Sequence, residues 1–124
     1  MAVHFYLLSS IFYPPSSILA PMIVSFHMKA VVVTYVVKKG HEKEFERILR
    51  RHWKVLRSEN LTTDQLPFLL RDPENPMVYK EIFEWKSTGS FQKAQESEKV
   101  QKIWKTMTDL TMDGGIELYH LKKI

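Results

Sequence analysis

A chain of 124 residues, 44% hydrophobic and 26% charged, is long enough for one domain with its own core and leaves no room for a second. It has no cysteine, which excludes disulfides, thiolate metal ligands and a cysteine nucleophile. The formal charge of +4 arises from basic residues interleaved with acids after residue 27, a solvated mixed surface that does not call for a polyanion partner.

Residues 1–27, MAVHFYLLSSIFYPPSSILAPMIVSFH, contain no Lys, Arg, Asp or Glu, and Pro14, Pro15 and Pro21 interrupt their apolar runs. They lack the basic start and unbroken apolar centre of a secretory signal, and the roughly 20 continuous apolar residues of a membrane span. They read as an accessory or misassigned leader, with an atypical export signal or anchor as the second reading. The domain is expected to occupy 28–124, with no membrane partner and a cytoplasmic location.

From Lys29 to Lys38 the chain is β-branched on both alternating faces, Ala30, Val32, Thr34 and Val36 on one and Val31, Val33, Tyr35 and Val37 on the other, which predicts a central strand covered on both sides. After the Lys39-Gly40 turn, Phe45, Ile48, Leu49, His52 and Leu56 recur at helical spacing to about Glu59, with acids at the start and bases toward the end, as the helix dipole favours. Leu66 to Arg71 contains a proline and predicts an edge strand; DPENP at 72–76 is turn chemistry. The second arm of this hairpin runs from Met77 to Trp85, with Tyr79, Glu81, Phe83 and Trp85 on one face.

Ser87 has the position of an N-cap for a second helical region, broken near Ser97, and Val100, Ile103, Trp104, Met107 and Leu110 follow at 3.6-residue spacing. Asp113-Gly114-Gly115 is expected to end it before a last strand, Ile116 to Lys122. The order β-α-β-β-α-β is the α+β, ferredoxin-like split βαβ arrangement, an antiparallel four-stranded sheet with its helices on one face. A first strand apolar on both sides then needs a second cover, and an identical sheet across a two-fold axis supplies one, so a homodimer through the sheet face is expected.

Three stretches carry a resemblance: Lys38-Lys39-Gly40 leading to Phe45, Tyr79-x-Glu81-Ile82-Phe83-Glu84-Trp85-Lys86-Ser87, and Val100-x-x-Ile103-Trp104. Over Lys29 to Ile124 the chain resembles the antibiotic biosynthesis monooxygenase-like superfamily of dimeric α+β barrels. The resemblance implies a pocket between sheet and helices, used by some members for cofactor-free oxygenation of quinol or polyketide-like aromatics and by others for haem degradation. Haem-degrading members combine an Asn on the first strand, a Trp in the following helix and a His beyond it. The corresponding positions here are Val33 or Thr34, Ala94 and Trp104, so haem degradation is not implied. Quinol-oxidising members often carry histidines in the short helix, which here reads SFQKAQ.

Oxygenation without metal or flavin needs an electron-rich substrate, a base and a dry apolar pocket. His52, on the apolar stripe of the first helix, and His120, in phase with Ile116 and Leu118, are the candidate bases; each is also readable as a structural buried histidine. Glu81, amid Tyr79, Phe83 and Trp85, is a third candidate if unpaired, and otherwise has a structural partner such as a Tyr, Lys or Arg. Tyr35, Tyr79, Phe83 and Trp104 are the candidate substrate contacts, each equally describable as packing. Phosphate loops, clustered metal ligands and nucleophile elbows are absent from the sequence, so no metal and no cofactor are expected. Base-stacking RNA modules share the strand order, but their aromatic signature is missing and Glu81 would repel phosphate. The expected function is cofactor-independent oxygenation of a small electron-rich aromatic or quinol-like molecule; the alternative is a non-catalytic dimeric domain that binds a small apolar ligand or a partner.

Overall fold

The first strand, β1 (Met28–Val37), pairs antiparallel on both edges, with β3 (Val78–Glu84) on one side and β4 (Thr111–Lys122) on the other; β2 (Phe68–Arg71) completes the sheet beyond β3, giving the order β2-β3-β1-β4. The computed structural model describes residues 28–124, with side chains from Ala30 onward. The leader reading of residues 1–27 lies outside the described residues. Alternation along β1 sets the layers: Val31, Val33, Tyr35 and Val37 are buried, whereas Ala30, Val32, Thr34 and Val36 are half-buried.

The buried face is covered by α1 (Glu42–Ser58), α2 (Ser90–Glu96) and α3 (Glu98–Asp109). On α1, Phe45, Ile48, Leu49, His52 and Leu56 form one buried stripe, while Glu42 and Glu44 at its start and Arg57 at its end oppose the helix dipole. Asn60, at φ 62°, takes the left-handed conformation just past the helix, and the Leu61 amide returns to the Leu56 carbonyl. This turn drops Leu61 into the core and lets Thr62 bridge to Trp85.

Three boundaries differ from expectation. Strand β2 begins at Phe68, after Pro67, which has no N–H to give a ladder, and it is the edge strand as expected. Ser87 does not cap α2; the helix starts from Gly89 and its first residue, Ser90, accepts the Ser87 amide at 3.1 Å through its hydroxyl. The capping serine is Ser97, at the expected break, whose hydroxyl accepts the Val100 amide at 3.3 Å. Asp113-Gly114-Gly115 does not precede the last strand but lies within it: β4 starts at Thr111, and the glycines sit where its register against β1 shifts between Tyr35 and Val37. Gly114 has φ 69°, and a Cβ on Gly115 would lie 2.8 Å from the Met112 carbonyl oxygen and 3.0 Å from that of Val36.

Cross-strand partners share a face. On the side away from the helices, one row runs Phe68, Ile82, Val32, Tyr119, with Ala30 and Leu121 beside it. Phe68 is 61% exposed, Tyr119 52% and Leu121 48%. No described helix is long and apolar enough to cross a membrane.

Candidate functional site

Alternation puts Tyr35 of β1 and Glu81 of β3 on the helix side of the sheet, and the register makes them diagonal neighbours, since Val33 faces Glu81 and Tyr35 faces Tyr79. The Tyr35 hydroxyl donates to Glu81 Oε1 at 2.6 Å. From above, α1 lowers His52 so that its Nδ1 meets Glu81 Oε2 at 2.8 Å, and α3 brings Trp104, whose indole N–H donates to His52 Nε2 at 2.9 Å. All four are buried: Tyr35 and Glu81 at 0% exposure, His52 at 1% and Trp104 at 2%.

Donor and acceptor rules fix the protons along this chain. An indole N–H can only donate, so His52 Nε2 presents its lone pair and the ring proton sits on Nδ1. That proton is donated to Glu81, which therefore accepts twice and acts as a carboxylate. The histidine is neutral, its basic nitrogen engaged by Trp104. Burial first, then the Glu81 charge and hydrogen bond, raise the Tyr35 phenol well above its ordinary range, so it remains a donor.

His120 occupies a second locus on the same face, in the row Phe83, Val31, His120. Its ring packs edge-on to Phe91 of α2 at 4.7 Å between centroids, and Trp85 lies at 6.4 Å. Burial lowers its pKa to about 4, so the ring is neutral near pH 7. His120 Nε2 and Trp85 Nε1 are shut from solvent and have no hydrogen-bond partner among the described residues. Gln95, one turn beyond Phe91 on α2, has its carbonyl oxygen in the same condition.

The structure thus joins four of the seven sequence candidates, Tyr35, Glu81, His52 and Trp104, in one hydrogen-bonded chain. Phe83 links the two loci, T-shaped to His52 at 6.0 Å and to Trp85 at 4.9 Å. Glu81 is paired, with Tyr35 as one of its partners. Tyr79 lies elsewhere: its hydroxyl donates to Glu46 at 2.7 Å, Arg71 stands 5.1 Å over its ring, and burial followed by the Glu46 hydrogen bond pushes its pKa up to about 12. It borders a cleft of about 280 Å³ shared with Leu49, Leu69 and Leu70. Sequence reasoning missed Phe91 as a neighbour of His120, although its one-turn spacing from Ala94 and Gln95 marks that face of α2, and missed Glu46 as the Tyr79 partner. Among the described residues no group of three or more His, Asp or Glu is placed to hold a metal ion.

No protein-family model and no curated protein matches the sequence. Solved structures do. A Bordetella bronchiseptica protein named as a candidate antibiotic biosynthesis monooxygenase is 18% identical, with a TM-score of 0.64 over 79% of this chain and 98% of its own. SnoaB from Streptomyces nogalater, a cofactor-independent oxygenase, is 18% identical, with a TM-score of 0.63 over 77% of this chain and 93% of its own. A Bacteroides thetaiotaomicron protein of unknown function reaches 0.67 at 8% identity, over 79% of this chain and 99% of its own. At 8–18% identity these likenesses show a shared fold: the chain has the ferredoxin-like arrangement of these solved structures, several of which are named as antibiotic biosynthesis monooxygenases.

Proposed function

We propose that this chain works as a homodimer that binds a small electron-rich phenol or quinol beside His120 and oxygenates it with O₂, without metal, flavin or haem. The observation that carries this reading is His120 itself: a neutral, half-buried imidazole with Phe91, Trp85 and, across the strands, Phe83 around it, whose Nε2, like the Trp85 indole N–H, is shut from solvent and has no hydrogen-bond partner among the described residues. Aromatic walls with a few unmet polar atoms suit a flat phenolic ring whose hydroxyl needs both a donor and an acceptor. In the reaction, a phenol and O₂ give a quinone and water, the substrate supplying all the electrons. A base with a pKa of about 4 does not ionise a resting phenol. It accepts the proton as an electron leaves for oxygen, because electron loss makes the hydroxyl strongly acidic.

His52 and Glu81 take a different part in this reading. The lone pair that a base would use is held by Trp104, so in this reading the chain holds β1, β3, α1 and α3 together and His120 is the catalytic group. SnoaB, described as a cofactor-independent oxygenase on the same fold, supports the reaction class. The second copy would cover the open row Phe68, Ile82, Val32 and Tyr119.

The test is oxygen uptake by metal-stripped protein across a panel of phenols and quinols. Replacing His120 by Ala should lower turnover roughly 10²- to 10⁴-fold with the dimer intact. Replacing His52 by Ala should lower the melting temperature, with activity falling only as folded protein is lost. The saturated His52–Glu81 pair favours one other reading, a non-catalytic binding module. Aromatics that raise the melting temperature without any oxygen uptake would establish it instead.

A further inference from the structure

A second concavity lies between α1 and α3: Ile48, Arg51 and Val55 line it from α1, and Lys99, Lys102, Ile103 and Thr106 from α3. The spacings i, i+3, i+7 and i, i+3, i+4, i+7 each mark a single helix stripe, so the two stripes flank one furrow. Its volume is about 440 Å³, within the range of small-molecule sites. The floor is Ile48, Val55 and Ile103, and the rim is three exposed cations with no carboxylate in the lining.

The rim charges are the informative feature. Five Lys and Arg side chains among the described residues pair with acids: Arg50 and Arg71 with Glu46, Arg57 with Asp64, Lys105 with Asp109 and Lys123 with Glu84. Arg51, Lys99 and Lys102 enter no ion pair among the described residues. The cleft at Tyr79 is the internal comparison: its two arginines both converge on Glu46, and no such acid stands in the α1–α3 furrow. An apolar floor beneath uncompensated positive charge is complementary to a molecule with a hydrocarbon body and an anionic head.

We propose that the furrow between α1 and α3 is a binding site for a small anionic amphiphile of the fatty-carboxylate class, its chain along Ile48, Val55 and Ile103 and its carboxylate among Arg51, Lys99 and Lys102. The site is separate from the His120 locus and does not depend on the oxygenase reading.

The experiment uses the full chain and sodium dodecanoate, titrated below its micelle concentration by amide NMR and calorimetry, with dodecanol and dodecyltrimethylammonium as uncharged and cationic comparators. Saturable dodecanoate binding with shifts on α1 and α3 is expected, at least tenfold tighter than dodecanol, a difference of about 1.4 kcal/mol. The double variant Lys99→Glu, Lys102→Glu changes exposed side chains and should weaken dodecanoate tenfold or more while the melting temperature holds. As a second route, Thr106→Trp should fill the furrow and block binding. Equal binding of all three probes, shifts confined to the open sheet face or to His120, or unchanged affinity in the charge-reversed variant would overturn the proposal. So would shifts on α1 and α3 with a short acidic amphipathic helix but none with dodecanoate, which would make the furrow a protein-docking groove.

Discussion

Replacing Glu81 separates the geometry of the buried chain from its charge. In Glu81→Leu the Tyr35 hydroxyl and the His52 Nδ1–H both lose the acceptor that Glu81 gives them. His52 has no easy escape by changing tautomer, because moving its proton to Nε2 would set it against the Trp104 N–H. Two buried donors deprived of an acceptor cost about 1–3 kcal/mol each; relief of the buried carboxylate's desolvation offsets part, leaving about 2–4 kcal/mol. Glu81→Gln retains one carbonyl oxygen, which can accept from His52, while its amide faces the rotatable Tyr35 hydroxyl, so about 1–2 kcal/mol is expected. Urea unfolding at one fixed protein concentration measures both, with a shared m-value confirming that the folded state is the same. Leucine should be worse than glutamine by about 1–2 kcal/mol. A leucine variant as stable as the parent, or a glutamine variant as damaged as leucine, would refute the proton assignment from which the figures follow.

Titration of His120 gives a second prediction. Its folded pKa of about 4 is below the ordinary 6.5, so the folded state binds fewer protons: stability is complete above pH 6.5 and is lost as pH falls toward 4, by at most about 3 kcal/mol. Urea midpoints from neutral to acid pH should fall more steeply for the parent than for His120→Leu, and parallel slopes would count against it. Val32→Glu puts a charge in the middle of the open sheet row; in the proposed dimer an unpaired interfacial charge would cost about 3–5 kcal/mol, so light scattering should show a dimer for the parent and a monomer for the variant, and a monomeric parent would refute the dimer. Gly115→Ala drives a Cβ against two carbonyl oxygens and should destabilise by about 1–3 kcal/mol, read by thermal melting, whereas an unchanged melt would mean that the bulge relaxes freely.

What could be read in advance depended on whether a feature is local. The inward phase of Tyr35 and Glu81 follows from strand alternation, and the place of His52 on the buried stripe follows from helical spacing; both are visible in a few residues. That Trp104 closes on His52 is set by how α1 and α3 cross, which no short stretch encodes. The glycine pair after Asp113 shows the opposite difficulty. Its composition is that of a turn, and it becomes a bulge because β1 offers pairing partners on both sides of it. Ser87 misled in the same way, since several serines near a helix start all have the chemistry of a cap and the backbone decides which one is used.

The buried chain also bears on how the domain comes apart. Its three links join residues 46, 29 and 52 positions apart and tie β1, β3, α1 and α3 to one another. Bonds that close so late contribute little until sheet and helices are all in place, so they belong to the far side of the folding barrier. Weakening them should leave the refolding rate nearly unchanged and accelerate unfolding, which makes the chain a kinetic latch on the finished domain.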